Sequence, residues 1–143
     1  MLIGEFAHAL DEKGRLTMPA KFRDELGPRF VVTMGLDGCL ACYAPAEWER
    51  LTDRLKQLPM TSRDARAFVR MLLAGATEVE PDRQGRIVLA PRLRQAATIR
   101  DNAVVVGLNT RVEIWAADRW EQYQAAAQDT FEATAEKLVD LGL

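Results

Sequence analysis

DEKGRLTMP, from Asp11 to Pro19, nearly recurs as DRQGRIVLAP, from Asp82 to Pro91. Both stretches carry an Asp, a Gly three residues later, an Arg directly after it, a short apolar-rich run and a proline. Sliding the chain over itself by 71 residues extends the match. Gly4, Asp11, Gly14, Arg15, Leu16, Phe22 and Arg23 fall on Gly75, Asp82, Gly85, Arg86, Ile87, Leu93 and Arg94. At an offset of 72, Gly35, Leu36, Tyr43, Ala44, Trp48 and Glu49 fall on Gly107, Leu108, Trp115, Ala116, Trp120 and Glu121, so one residue has been inserted between. Two copies are too few for a solenoid, which needs at least three stacked units, and a pseudo-twofold pair of halves is the better reading.

Local signals agree within each half. IGEFAHAL and TEVEP read as strands, DEKG and DRQG as turns, and RLTM and RIVL as return strands. A short helix is predicted next, with Pro19 before AKFRDEL and Gly27 after it, and with Pro91 before RLRQAA. Hairpins follow: FVVTMGL and CLACYA around Asp37 and Gly38, then AVVVGL and RVEIWA around Asn109 and Thr110. Trp48, Leu51, Leu55 and Leu58 mark an amphipathic helix introduced by Pro45. Trp120, Tyr123, Ala127, Phe131, Leu138 and Leu141 mark a longer one near the C-terminus. Between the halves, TSRDARAFVRMLLAG predicts a helix with Phe68, Met71 and Leu72 on its apolar face, a capping-box spacing from Thr61 to Asp64, and Gly75 as its stop. No parallel βαβ rhythm is present, so the expected class is α+β with an antiparallel sheet or small barrel and peripheral helices. The expected divisions are 1–58 for the first half, 59–75 for the connecting helix and 76–143 for the second half.

A chain of 143 residues, 48% of them hydrophobic, is long enough to bury a core without staples. The two cysteines and a formal charge of −2 argue against a disulfide-rich secreted domain and against a basic tail. The N-terminus lacks a basic segment followed by an apolar one, and no stretch approaches the ~18 apolar residues of a membrane span. The expectation is a soluble, unprocessed cytoplasmic protein.

The turn itself contains one residue that folding does not explain. Gly14 and Gly85 supply positive φ, and Asp11 and Asp82 can accept hydrogen bonds from backbone amides two residues on. Nothing in turn chemistry asks for a guanidinium next. Period-two alternation puts Leu16 and Met18 on one face and Arg15 and Thr17 on the other, with Arg86 placed alike ahead of Ile87 and Leu89. The plain reading is an exposed ion pair between each Asp and its own Arg, contributing at most about 1 kcal/mol. Repetition weighs against that reading, because Asp, Gly and Arg recur while Glu12 and Lys13 become Arg83 and Gln84. Lys13, Lys21, Arg23, Arg83, Arg92, Arg94 and Arg100 also lie close in sequence to the turns. Asp82 to Arg100 holds five arginines and one acid, whereas Glu113 to Leu143 holds seven acids and two bases. Such polarisation is an electrostatic footprint for a phosphate-bearing partner.

Other candidates are weaker. Cys39 and Cys42 form a C-x-x-C, but only His8 could join them as a metal ligand, and they fall in a predicted strand rather than at a helix start, which favours ordinary packing. His8 has no visible catalytic partners. Trp48 and Trp120 occupy matching helical positions and read as core or interface anchors. No P-loop or G-x-G-x-x-G is present. Neither an enzymatic role, nor a cofactor, metal or small-molecule substrate is expected.

The ordered segments DEKGRLTMPAKFR, GLDGCLACYAPAEWERL, DRQGRIVLAPRLR and GLNTRVEIWAADRWEQY resemble the MraZ family of bacterial transcriptional regulators, over Met1 to about Ala125. Each half resembles one AbrB-type swapped-hairpin unit. The doubled D-x-x-x-R turn and the E-x-W of Glu113 to Trp115 make the resemblance specific. It implies a DNA-binding motif at Asp11 with Arg15 and at Asp82 with Arg86. It further implies a ring-shaped homo-oligomer, associated with the nucleoid, that binds short G-rich direct repeats in double-stranded DNA and represses its own division and cell-wall operon. On this reading Arg15 and Arg86 touch bases or phosphates, Lys13 and Arg83 touch phosphates, and Asp11, Gly14, Asp82 and Gly85 build the turn and aim the Arg. The alternative is a ring-forming structural or protein-interaction module whose Arg turns serve subunit contacts.

Overall fold

The computed structural model describes residues 1–143. Strand β1 (Ile3–Ala9) runs into the first turn, and β2 (Arg15–Thr17) and α1 (Ala20–Leu26) leave it. The hairpin β3 (Phe30–Met34) and β4 (Leu40–Tyr43) follows, then α2 (Pro45–Leu55) and α3 (Arg63–Ala74). The second half repeats the order with β5 (Thr77–Val79), β6 (Arg86–Val88), α4 (Pro91–Ala96), β7 (Asn102–Leu108), β8 (Val112–Ala116) and α5 (Ala117–Asp129). A further helix α6 (Phe131–Lys137) and a 3₁₀ turn at Val139–Leu141 end the chain. The class is α+β with antiparallel strand pairing throughout, and no helix is long and apolar enough to cross a membrane.

Six strands form one sheet in the order β1-β7-β8-β4-β3-β5. Exchanging the halves maps this order onto itself, so the pseudo-twofold passes between β4 and β8, where Leu40 faces Ile114. The two strands flanking each turn do not pair with one another, which differs from a simple strand-turn-strand hairpin. Instead β1 pairs with β7, β5 pairs with β3, and β2 pairs with β6 as a separate ribbon. The reason lies in the core. Leu16, Met18, Ile87 and Leu89 are all essentially fully buried in one cluster with Phe22, Phe30, Leu93, Val105 and Ile114. Crossing the strands merges the apolar residues of both halves into one larger core, which buries a greater fraction of surface than either half would by itself. Phe6 of β1 packs edge-on against Phe22, with ring centroids 5.2 Å apart, and Thr33 Oγ1 ties β3 to α3 by donating to the Leu72 carbonyl at 2.6 Å.

Several helices depart from the sequence expectation. α2 ends at Leu55, leaving Leu58 in the turn beyond it. The N-cap of α3 is Ser62, whose Oγ accepts from Ala65 N at 3.2 Å, one residue later than the expected Thr61. Of its predicted apolar face only Leu72 is buried, and Phe68 and Met71 stay exposed. The single long C-terminal helix is broken at Thr130 (φ −110°, ψ 11°), whose hydroxyl bonds back to the carbonyls of Ala126 and Ala127 and so competes with continuation of the helix.

Gly107 on β7 lies opposite Gly4 of β1, and a Cβ added there would stand 2.6 Å from Ile3 N and 2.8 Å from Phe22 Cζ. Backbone cannot retreat from that contact without parting β1 from β7. Gly107→Ala is expected to lose about 1–3 kcal/mol of stability, measured as a lower urea midpoint at unchanged m-value.

Candidate nucleic-acid interface

Each repeated turn is closed by its own Asp. Asp11 Oδ1 accepts from the backbone N–H groups of Lys13 and Arg15, both at 2.9 Å, and its Oδ2 accepts from Arg15 Nε at 2.5 Å. Asp82 does the same with Gln84 N, Arg86 N and Arg86 Nε, all at 2.9 Å. Gly14 and Gly85 provide the left-handed residue in each case, at φ 72° and 78°. Both carboxyls are held below their ordinary value of 3.8, first by the backbone N–H of the following arginine, with the arginine side chain adding to it. Each Asp therefore does pair with its own Arg, as the plain reading of a single turn expects.

What a single turn does not reveal is where the two meet. In the β2–β6 ribbon Arg15 faces Val88 and Thr17 faces Arg86, while Leu16 faces Ile87. Leu16 and Ile87 point into the core, and the two arginines become diagonal neighbours on the outer face. The turns clasp each other through Met18 N to the Gly85 carbonyl at 2.9 Å and Leu89 N to the Gly14 carbonyl at 3.1 Å. Arg86 Nη1 also reaches within 3.7 Å of Asp11 Oδ2, so the two ion pairs are one cluster. Both arginines keep roughly a quarter of their side-chain surface exposed, at 29% and 27%. Asp11 and Asp82 each engage the Nε atom of their own Arg, and the Arg86 Nη1 contact with Asp11 is the longer link between the two pairs.

Two further arginines belong to this surface. Arg23 of α1 lies over the turn of the other half, where a Cβ on Gly85 would fall 1.8 Å from its Nη1. Arg94 of α4 lies over Gly14 in the matching way, with its Cζ 3.0 Å from where a Cβ would stand. The repeat aligns Arg23 with Arg94, but nothing local shows that each helix reaches across to the opposite turn. Lys13 and Arg83 stand exposed at the turn tips. Arg92 is directed elsewhere, its Nη2 3.3 Å from the Ala74 carbonyl.

The remaining candidates lie elsewhere in the fold. Cys39 and Cys42 sit in different apolar clusters. Burial pushes the Cys39 thiol up to about 12, with Glu113 adding to it, and burial raises Cys42 further. Neutral thiols there are poor nucleophiles. His8 lies on the edge strand β1 opposite Ala103. Trp115 and Trp120 pack at 5.3 Å, matching Tyr43 and Trp48 at 5.8 Å in the first half, and Trp120 Nε1 donates to Glu5 Oε2 at 2.5 Å. The E-x-W pattern has a concrete role: the buried Glu113 carboxylate accepts from Trp115 Nε1 and Arg111 Nε, each at 3.1 Å.

A family model described as "MraZ protein", antitoxin-like, matches the chain twice, over residues 1–71 and 72–142. The chain belongs to the MraZ family. Proteins called transcriptional regulator MraZ are 53% identical over 143 residues in Pelotomaculum thermopropionicum, covering 100% of this chain and 99% of that one. One from Desulforamulus reducens is 53% identical over 141 residues, 99% of both chains, and one from Moorella thermoacetica is 52% identical over 143 residues, 100% of both. The two MraZ matches divide the chain where the 71-residue repeat does, and each contributes one turn to the β2–β6 ribbon.

Because both Asp carboxyls titrate lower in the folded protein, their contribution is complete above the ordinary 3.8 and is lost as pH falls through the depressed folded values. Asp11→Asn with Asp82→Asn is expected to be less stable than wild type near neutral pH. The gap should close in acid, followed by urea unfolding across a pH series.

Proposed function

We propose that this chain is a sequence-specific DNA-binding transcriptional regulator that reads G-rich direct repeats through its paired D-x-x-x-R turns. The observation that supports the reading is the convergence of Arg15 and Arg86 on one outer face of the β2–β6 ribbon, each part-exposed with its Nε held by its own Asp. A two-stranded ribbon fits a B-DNA major groove about 12 Å wide, and an Arg donor edge matches O6 and N7 of guanine. Asp11 and Asp82 fix the rotamer before binding, so less side-chain entropy is lost on contact. Lys13, Arg83, Arg23 and Arg94 surround the two arginines and suit phosphate oxygens. The name borne by the relatives, transcriptional regulator MraZ, supports the regulatory role.

Two base contacts of about 1–3 kcal/mol each fall short of the roughly 11 kcal/mol of specific binding, so phosphate contacts and repetition must supply the rest. A homo-oligomeric ring supplies repetition: neighbouring subunits meet successive repeats at high effective concentration. On the family resemblance, the regulated DNA lies ahead of the chain's own division and cell-wall operon, and the output is repression in the nucleoid.

Footprinting on the upstream DNA, with wild type and with Arg15→Ala plus Arg86→Ala, tests the reading. Each arginine contact removed is expected to weaken specific binding by about 5- to 150-fold, compounding where several subunits lose it, and wild-type affinity should fall steeply with salt. Undiminished binding by the folded double variant would instead favour the ring-forming interaction module.

A further inference from the structure

The repeat that relates the two turns also relates Arg23 to Arg94, yet the surroundings of these two arginines are unequal. Arg94 lines a cleft of about 280 Å³ with Pro91, Gln95, Thr98, Ile99 and Arg100, and no acid is among them. Arg94 is half-buried and Arg100 is exposed. Arg94 Nε donates to the Leu89 carbonyl at 3.2 Å, which holds its guanidinium against Gly14. Arg100 enters no ion pair. The cleft borders the first turn: Arg94 lies over Gly14, and Leu10 N donates at 2.8 Å to the carbonyl of Asp101, the residue after Arg100. Asp11, at the head of that turn, is already engaged by Arg15 and Arg86, and Asp101 pairs with no cation.

At the second turn the corresponding cations are neutralised. Arg23 takes the place of Arg94, but Asp24 stands where the repeat puts Gln95. Arg29, aligned with Arg100, is tied to Glu80 by Nε to Oε1 at 2.6 Å. Beside the first turn the matching strand position brings Ala9 opposite Asn102, neither of them charged. Asp11 to Arg29 holds five cations and four acids, whereas the equally long Asp82 to Arg100 holds five arginines and one acid. Because the halves cross, this excess of the second half is delivered to the turn of the first.

We propose that the Arg94–Arg100 cleft binds a backbone phosphate of DNA beside the first turn, and that this contact, made at one end of the ribbon, sets the direction in which the protein sits on each repeat. Two guanidinium groups with no carboxylate between them suit the free oxygens of a phosphodiester, and Arg94 is placed in advance by its bond to Leu89. The paired turns by themselves are close to twofold, and a twofold surface fits a site either way round. Direct repeats have a direction, so their reader needs a feature that the pseudo-twofold does not repeat. The contact rests on the DNA-binding reading above and adds to it the residues that orient the protein.

The test follows binding of the full-length protein to a fluorescent duplex of two G-rich direct repeats by anisotropy across a salt series, with every variant shown to be folded by circular dichroism. Gln95→Glu, which puts an acid beside Arg94 and Arg100, and Arg100→Ala should each flatten the slope of log K against log salt by about 0.9 per engaged subunit. Removing the opposite ion pair, Arg29→Ala with Glu80→Ala, should leave the wild-type slope. Direction is read by hydroxyl-radical cleavage from an iron chelate attached through Glu12→Cys at the first turn, since both native thiols are buried. The chain otherwise wild type should cut to one side of each repeat, and adding Arg100→Ala should bring cuts on both sides. If Gln95→Glu disturbs the fold, Arg100→Ala carries the test, because its side chain is exposed and unpaired. An unchanged slope in folded Arg100→Ala, an equal loss in the Arg29 and Glu80 double variant, or two-sided cutting before Arg100 is replaced overturns the cleft while leaving Arg15 and Arg86 as base readers. If the slope is unchanged and inorganic phosphate without DNA raises the melting temperature of wild type but not of Arg100→Ala, the occupant is a free anion and the backbone contact is overturned. Wild type that ignores the repeats overturns the DNA reading and the cleft together.

Discussion

The antiparallel pairing of Arg15–Thr17 with Arg86–Val88 is the contact on which the rest of the molecule depends. Each partner is only three residues long, and neither could hold a register alone. Their register is set by Leu16 and Ile87, which face one another and are completely buried. A slip of one residue in either strand would turn its Leu16 or Ile87 into water and bring the neighbouring Arg15 or Arg86 toward the core. Burial of two aliphatic side chains, worth about 1.5–3 kcal/mol each, therefore holds the arginines outside.

The same pairing explains why the halves cannot be treated as independent beads. β1 completes the hairpin of the second half and β5 completes that of the first, so each half supplies an edge strand to its mate. The turns lie where these crossings begin, and each glycine carries the guanidinium of an arginine from the other half above it. Gly14 and Gly85 thus answer two demands at once: a left-handed backbone, and room for Arg94 and Arg23 to approach. Charge is concentrated where the fold has a built reason to be rigid, and preorganised donors of this kind lose little entropy when they meet an acceptor.

Away from the ribbon the two halves diverge. The aromatic pairs Tyr43 with Trp48 and Trp115 with Trp120 keep the repeat, but the first half continues into α3 and the second into α6. α3 carries arginines beside an incompletely covered apolar face, and α6 carries acids beside another. The pseudo-symmetry is broken in the peripheral helices, while it is retained where the arginines sit.

Sequence by itself determined the repeat, the α+β class, the positions of the turns and hairpins, and the arginine as the residue that turn chemistry leaves unexplained. These are local matters: period-two alternation, Asp and Gly at a turn, and proline at a helix start act within a few residues. It could not show that β2 pairs with β6, because a three-residue strand has no partner preference readable from its own side chains. It could not place Arg23 over Gly85 or Arg94 over Gly14, since the chain separation there is bridged only by the crossing of the halves. The break at Thr130 and the exposure of Phe68 and Met71 were equally hidden, because periodicity marks an apolar face without saying whether anything covers it. Only the tertiary structure decided these, since burying Leu16 and Ile87 in a shared core brings together two turns that the sequence keeps 71 residues apart.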